Sequence, residues 1–235
     1  MKTHDQPRTT SHPQYTWVVF DLDDTLISRT PNIVQQANLA ALQLLGANAH
    51  DISRLSEHLA HVYQHTTQGN GVLVPKRQQF RQLLHRLSRP DDVEPLFAAY
   101  VAAYVSGVQV FPEVHATLSA LTAHGVQIGI ATNGPPDVAE AVLQHCGVCQ
   151  FVRFVVTPTH VGAVKPSQAF ATFVAVQTGV DPRQIVFVGD RAEDIMTAKC
   201  MGATAVLVDR GTSPQPEVTP DYSVQTLSDI LPICV

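Results

Sequence analysis

The chain has 235 residues, of which 45% are hydrophobic and 15% charged, and its formal net charge is −5. This size and composition are typical of an ordinary globular protein with one large domain, or with a core domain and a smaller insert. The chain has only four lysines and no basic run, which argues against a nucleic-acid surface, and no segment has the roughly 20 consecutive apolar residues of a membrane-spanning helix.

The first residues are polar and contain no apolar segment of the kind found in signal peptides. We interpret residues 1–15 as a disordered N-terminal extension. The four cysteines fit reduced thiols, so we expect a cytoplasmic protein. The sequence leaves the oligomeric state open between a monomer and a homodimer.

Five short apolar runs indicate the strands of a sheet. Their near-continuous apolar character, without alternation, is typical of parallel strands that are covered on both faces. Helical patterns separate the later runs, and the final segment is expected to add one strand and a short helix. We therefore predict a Rossmann-like, doubly wound α/β core formed by residues 16–29 and 108–235. The runs are 17–20, 126–132, 151–156, 185–189 and 204–208.

Residues 30–107 interrupt this alternation of strands and helices with four consecutive amphipathic helical patterns. The prediction is a small all-helical cap domain inserted after the first strand. In open α/β sheets, ligands bind at the carboxyl ends of the strands, and the insert leaves the core at such an end. A helical domain in this place is positioned to close over a ligand.

Polar residues cluster where the apolar runs end. Since parallel strands end at one edge of a sheet, these residues are expected to lie close together. Crowded carboxylates repel one another unless a cation or a reaction uses them. Carboxylates from Asp21 and Asp190, with Asp194 as a further candidate, make an oxygen site suited to Mg²⁺. The complete set is Asp21, Asp23 and Asp24, then Thr132, Asn133 and Gly134, then Lys165, and finally Asp190 and Asp194.

The same set describes a site for phosphoryl transfer, in which positioning and charge stabilisation supply most of the catalysis. An aspartate can itself attack phosphorus. Asp21 and Asp23 are two residues apart, so in an extended strand they face the same side and can address one ligand. The simpler reading of Asp190 and Asp194 is that they cap the following helix.

Four segments occur in the order "DLDDTL", "ATNG", "KP" and "GDRAED". Together they resemble the four sequence motifs of the haloacid dehalogenase superfamily, over residues 17 to about 210. The helical insert resembles the cap of the phosphoglycolate-phosphatase-like subgroup, whose members mostly hydrolyse small phosphorylated metabolites.

The resemblance implies roles for individual residues. Asp21 would be the nucleophile, Asp23 the general acid and base, and Lys165 the group that neutralises charge on Asp21 and on the phosphate. Asp24 inherits no catalytic role, and we expect it to act locally in a turn or a hydrogen bond.

The resemblance also implies a metal site and a phosphate site. Mg²⁺ would be held by Asp21, the backbone carbonyl of Asp23, and Asp190, with Asp194 supporting the metal shell. The phosphoryl group would be bound by Thr132, helped by the backbone at Asn133 and Gly134.

The function expected from the sequence is a Mg²⁺-dependent phosphatase that acts on a small phosphorylated metabolite through an aspartyl-phosphate. One alternative is a haloacid dehalogenase, although dehalogenases of this family generally lack the second acid, Asp23, and need no metal. Another is a phosphomutase, which would retain the phosphoryl group on its product. The non-enzymatic alternative is a phospho-accepting binding module, but receiver domains are shorter and place the acceptor on a later strand.

Overall fold

The five apolar runs each form a strand of one parallel sheet. The structure, a computed structural model, describes residues 15–46, 48–67, 74–89, 92–211 and 217–235. In these residues the strands are β1 (Trp17–Phe20), β2 (Ile27–Arg29), β3 (Val108–Val110), β4 (Gln127–Ala131), β5 (Val152–Val156), β6 (Ile185–Gly189), β7 (Thr204–Val208) and β8 (Tyr222–Val224). All except β2 and β3 belong to the sheet, whose order is β5-β4-β1-β6-β7-β8 with every neighbouring pair parallel.

Helices occupy the predicted positions between the strands. Pro136 begins one of them, where its fixed backbone angle suits a first helical turn. In the described part of the chain, three short 3-10 turns span Cys149–Phe151, Pro182–Gln184 and Leu227–Ile230. The helices are α1 (Ile33–Gln43), α2 (Ala49–Thr67), α3 (Lys76–Arg86), α4 (Val93–Ser106), α5 (Val114–Ala123), α6 (Pro136–His145), α7 (Pro158–Val161), α8 (Gln168–Thr178), α9 (Ala192–Met201) and α10 (Leu231–Cys234).

The sheet is covered on both faces, as its apolar strands require. Successive side chains of a strand point to opposite faces. On β1, Val18 and Phe20 join one apolar cluster with residues of α5 and α6, whereas Trp17 and Val19 join a second cluster with residues of α8 and α9. The predicted doubly wound α/β core is therefore confirmed, and β8 and α10 confirm the strand and helix expected at its end.

The insert begins and ends at a small ribbon that the sequence did not indicate. β2 and β3 pair antiparallel, with Ile27 opposite Val110 and Arg29 opposite Val108. Between them, the described part of residues 30–107 contains the four predicted helices α1 to α4. Helices α1 and α4 pack along each other. That these helices act as a separate cap domain stays a prediction.

The strand order decides where a ligand can bind. β1 lies between β4 and β6, so the carboxyl ends of these three strands are neighbours. The order reverses direction at β1, which is the kind of switch point where open α/β sheets bind ligands. All the polar segments predicted from the sequence either follow these strands or can reach their ends.

The predicted N-terminal extension lies outside the described residues, apart from its last member. Tyr15 is buried, and its phenolic oxygen accepts a hydrogen bond from Thr204 at 3.1 Å. None of the helices in the described ranges combines the length and the apolar character needed to cross a membrane.

Candidate active site

Lys165 joins the ends of three strands through its ammonium group. Its Nζ donates to Oδ1 of Asp21 at 2.6 Å, to Oδ1 of Asp194 at 2.6 Å, and to the carbonyl of Ala131 at 2.8 Å. An ammonium group has three protons, so these three acceptors use all of them. Lys165 itself is 5% exposed, and both carboxylates are buried. The predicted nucleophile and the predicted lysine therefore form a direct ion pair.

Burial and charge act against each other in this cluster. Burial raises the pKa of Asp21 to about 6, although the Lys165 ammonium lowers it. Burial also raises the pKa of Asp194. For Lys165, burial alone lowers the pKa, but Asp194 and Asp21 raise it more, so its pKa lies above the ordinary value. Lys165 is thus a permanent positive charge beside Asp21.

Three carboxylates meet where a metal ion was predicted. Asp21, Asp190 and Asp194 each offer an oxygen within 4.8 Å of the others, and all three residues are buried. Thr25 donates its hydroxyl proton to Oδ1 of Asp190 at 3.2 Å. A buried set of carboxylate oxygens at this spacing fits Mg²⁺, which binds one or two carboxylates and keeps several waters.

Asp194 takes part both in the cap of the following helix, as the simpler reading predicted, and in the buried cluster around Lys165, whereas its role beside a metal stays a prediction. Its Oδ2 accepts the backbone N–H of Arg191 at 3.1 Å, which caps the start of α9. Its Oδ1 accepts from Lys165. β6 ends at Gly189, and a Cβ there would collide with the Asp194 side chain. The chain therefore needs glycine at this position so that Asp194 can approach the strand end.

The predicted phosphate loop follows β4. Thr132 is buried, and its backbone N–H continues the strand by donating to Val156 at 3.0 Å. Its hydroxyl oxygen accepts the N–H of Gly134 at 3.1 Å. Asn133 accepts the N–H of Lys165 with Oδ1 at 2.9 Å and donates from Nδ2 to the carbonyl of Lys165 at 3.3 Å. The loop leads into the N-terminus of α6, and helix N-termini favour phosphate groups.

Asp23 and Asp24 share one arginine that the sequence analysis missed. Arg29 contacts Oδ2 of Asp23 at 3.0 Å through Nη1 and Oδ2 of Asp24 at 2.8 Å through Nη2. Burial raises the pKa of Asp23 to about 6, while Arg29 acts to lower it. Asp24 has a left-handed backbone with φ 63° and donates its N–H to Ile27 at 2.6 Å, so its expected local role in a turn is confirmed.

Two of the spaces at this edge of the sheet lie next to each other. The cavity that contains Asp21 and Lys165, called the main cavity, has a volume of about 330 Å³, and a narrow cleft of about 20 Å³ lies beside it on the side of the insert. Asp23, Thr132 and Gly134 border both spaces. The main cavity is lined by Asp21, Asp23, Arg29, Thr132, Asn133, Gly134, Lys165, Arg191, Glu193 and Asp194. The cleft is lined by Leu22, Asp23, Val34, Tyr100, Tyr104, Thr132, Gly134, Pro135, Val138, Ala139 and Val142.

The structure thus brings every predicted site residue to one place. It also adds Thr25 and Arg29. Thr25 directly follows the acidic run, so a hydroxyl next to three carboxylates was a usable signal. Arg29 gave no such signal, because only the turn between β1 and β2 brings it back to Asp23.

Comparison with known proteins shows the family to which the chain belongs. The family model of haloacid dehalogenase-like hydrolases matches residues 15–202. The chain is 30% identical to the phosphoglycolate phosphatase of Rhodospirillum rubrum, over 85% of this chain and 81% of that protein.

Solved structures show the same fold. One is a HAD phosphatase from Thermococcus onnurineus, with a TM-score of 0.66, 26% identity, and coverage of 93% of this chain and 97% of that one. Another is a 2-haloacid dehalogenase from Pseudomonas syringae pv. Tomato, with a TM-score of 0.66, 24% identity and the same two coverages. At this identity, the second likeness concerns the fold alone.

Proposed function

Because the chain belongs to the haloacid dehalogenase-like hydrolase family, we propose that it is a Mg²⁺-dependent phosphatase that hydrolyses a small phosphate monoester. The proposal depends on one observation. Asp21 and Lys165 form a buried ion pair, and both line the same cavity as a second acid, Asp23. The relative from Rhodospirillum rubrum is a phosphoglycolate phosphatase, so 2-phosphoglycolate is the first substrate to test.

In the proposed reaction, a carboxylate oxygen of Asp21 attacks phosphorus while the bond from phosphorus to the substrate alcohol breaks. Asp23 gives its proton to the departing oxygen. Its raised pKa keeps the protonated form accessible near neutral pH. Asp23 then takes a proton from water as that water attacks the aspartyl-phosphate, which releases inorganic phosphate and regenerates both aspartates.

The other residues would hold the reacting groups. The Lys165 ammonium offsets the repulsion between the Asp21 carboxylate and a phosphate anion. The Thr132 hydroxyl and the backbone at Asn133 and Gly134 would bind the phosphoryl oxygens.

The metal site proposed for this reaction uses Asp21, the Asp23 carbonyl, Asp190 and Asp194. Bound Mg²⁺ would neutralise charge on the phosphate and orient it toward Asp21. The fit rests on the three buried carboxylates that lie within 4.8 Å of one another. We further propose that the helical insert, residues 30–107, covers the bound substrate.

The decisive experiment measures phosphate release from 2-phosphoglycolate and from a broad panel of phosphorylated metabolites, with Mg²⁺ and with EDTA. We expect release that requires Mg²⁺ and stops in Asp21→Asn. Retained turnover in Asp21→Asn would exclude Asp21 as the nucleophile. If no ester in the panel is hydrolysed, the phosphatase proposal is wrong.

Assays on the same protein distinguish the three alternative functions. A dehalogenase would release halide from 2-chloropropionate, and a phosphomutase would convert a sugar phosphate without releasing phosphate. A binding module would accumulate a stable aspartyl-phosphate. We expect none of these three outcomes.

A further inference from the structure

Arg29 is the residue that holds the side chain of the second acid, Asp23. Its Nη1 lies 3.0 Å from Oδ2 of Asp23. Among the described residues, no hydrogen bond holds the Asp23 side chain in addition to this ion pair. Another cation of the main cavity, Lys165, already uses its three protons on other acceptors. The orientation of the Asp23 carboxylate therefore depends on Arg29.

The guanidinium of Arg29 is itself anchored. Its Nη2 donates to Oδ2 of Asp24 at 2.8 Å. Because the guanidinium is a rigid planar fork, a bond at one arm fixes the direction of the other arm. Asp24 in turn belongs to the turn between β1 and β2, where its N–H donates to the carbonyl of Ile27 at 2.6 Å. Asp24 thus fixes the arm of Arg29 that reaches Asp23.

The backbone of Arg29 is fixed as well. Arg29 is the last residue of β2 and lies opposite Val108 of β3 in the antiparallel ribbon. The next residue, Thr30, donates its N–H to the carbonyl of Gly107 at 2.9 Å. The Arg29 side chain therefore starts from a paired strand and ends at two carboxylates, which leaves it little freedom to move.

These ion pairs are partly shielded from water. The side chains of Arg29, Asp23 and Asp24 are 20%, 23% and 30% exposed, respectively. Fully exposed ion pairs contribute little, because water and the entropy of the side chains oppose them. Charges that are mostly withdrawn from water interact more strongly. Arg29 is thus suited to hold the Asp23 carboxylate in one orientation.

Orientation matters most for a group that transfers a proton. In the proposed function, Asp23 protonates the oxygen of the departing alcohol, and Asp23 lines the main cavity together with Asp21. The ion pair with Arg29 engages Oδ2 of Asp23, which leaves Oδ1 to carry the proton. A proton donor must lie within hydrogen-bond reach of its acceptor, and small displacements lower the rate strongly. A carboxylate that could rotate freely would lose this alignment.

We propose that Arg29 is a positioning residue, whose ion pair keeps Asp23 aligned to protonate the leaving oxygen. The inference rests on the proposed function. Arg29 neither gives nor takes a proton in this role. Because Arg29 acts only through Asp23, its loss matters where the leaving group needs a proton. Its loss matters little where the leaving group departs as a stable anion.

The test compares ethyl phosphate with acetyl phosphate, which are similar in size. Ethoxide has to be protonated as it leaves, whereas acetate leaves as a stable anion. The quantity compared is kcat/KM, because it covers the steps up to release of the leaving group and excludes hydrolysis of the aspartyl-phosphate. In Arg29→Met we expect kcat/KM to fall about 100-fold for ethyl phosphate and about threefold for acetyl phosphate.

Three further variants separate positioning from a general structural effect. Arg29→Lys keeps the charge and should restore part of the loss on ethyl phosphate. Asp23→Asn removes the proton donor, so adding Arg29→Met to it should cost little more. Arg210→Met is the matched control, because this arginine is also partly buried and pairs with a carboxylate, Glu113 at 2.8 Å. It should leave the ratio of the two kcat/KM values unchanged.

The possible results distinguish this inference from the proposed function. Equal losses on both substrates in Arg29→Met would make Arg29 a purely structural residue and would overturn the inference. Fully additive losses in the double variant would overturn it too. Both results leave the phosphatase proposal intact, whereas a wild type that hydrolyses no phosphate ester refutes the proposal and the inference together.

Two substitutes keep the test complete. If the wild type cleaves acetyl phosphate but not ethyl phosphate, 2-phosphoglycolate is the alkyl ester for the comparison. Should Arg29→Met not fold, Asp24→Gly removes the carboxylate that anchors the guanidinium, and glycine suits the left-handed backbone at this position. Asp24→Gly should show the same inequality between the two substrates, and equal losses there would overturn the inference.

Discussion

The side chain of Asn133 holds the backbone of Lys165 from both sides. Its Oδ1 accepts the Lys165 N–H at 2.9 Å, and its Nδ2 donates to the Lys165 carbonyl at 3.3 Å. The two residues belong to loops that follow different strands of the sheet. Asn133 thereby fixes the backbone from which the Lys165 ammonium reaches Asp21.

Asn133→Ala removes this pair of hydrogen bonds. We expect kcat to fall about tenfold with little change in KM, because a displaced lysine weakens charge stabilisation more than substrate binding. The free energy of unfolding should fall by about 1–2 kcal/mol. Steady-state kinetics and urea denaturation measure both quantities. Gln150→Ala, which removes a hydrogen bond to Gly147 at the surface, is the control. Lower stability with unchanged kcat would show that Asn133 supports only the fold.

Lys165→Met leaves Asp21 and Asp194 as buried acids without their shared counter-charge. We expect loss of measurable phosphatase activity and a fall of about 3–5 kcal/mol in the free energy of unfolding at neutral pH. Adding Asp194→Asn removes one of the two acids, so part of the stability should return while activity stays lost. Urea denaturation of the four proteins completes the double-mutant cycle. Strictly additive changes would contradict a direct interaction between Lys165 and Asp194.

Two glycines of the site should respond differently to alanine. A Cβ at Gly189 collides with the side chain of Asp194, whereas a Cβ at Gly134 meets only Oγ1 of Thr132 at an ordinary distance of 3.5 Å. We expect Gly189→Ala to lower the free energy of unfolding by about 2–3 kcal/mol through overpacking and to abolish activity. Gly134→Ala should fold with nearly wild-type stability. Thermal denaturation distinguishes the two, and equal melting temperatures would contradict the close approach at Gly189.

Stability should depend on pH through Lys76. Burial lowers the pKa of Lys76 to about 7 from its ordinary value of 10.5, with Asp137 acting in the opposite direction. Between these two values the unfolded chain binds more protons at this residue than the folded chain does. The Lys76 contribution to the free energy of unfolding therefore rises with pH from about 7 to 10.5, by up to about 1.4 kcal/mol per pH unit.

The measurement is urea denaturation from pH 6.5 to 9 of the wild type and Lys76→Met. The difference in stability between the two proteins should favour Lys76→Met most at the lowest pH and shrink as the pH increases. Parallel profiles would mean that Lys76 keeps an ordinary pKa in the folded protein.

Much of the site was predictable because it follows from strand topology. The runs ending at Phe20, Ala131 and Gly189 had the composition of buried parallel strands, and parallel strands bring the residues after them to one edge. The acids, Thr132 and the lysine could thus be grouped without knowledge of the fold. The ribbon of β2 and β3 could not be predicted, since three residues per strand give too short a pattern.

The burial of two polar residues inside the insert could not be predicted from the sequence. Lys76 and Asn38 occur in amphipathic helical patterns, where a polar side chain ordinarily marks the solvent face. They are buried because α1 and α3 each pack against α4. The burial of these two polar side chains therefore becomes visible only in three dimensions, since the hydrophobic periodicity of the chain does not indicate it.

The ribbon also has a consequence for how the molecule can be altered. Arg29 lies opposite Val108, and Thr30 donates its N–H to Gly107 at 2.9 Å, so the chain enters and leaves the insert at adjacent points. The two ends of residues 30–107 therefore meet at the ribbon, and a replacement segment would have to span only the short distance between Thr30 and Gly107.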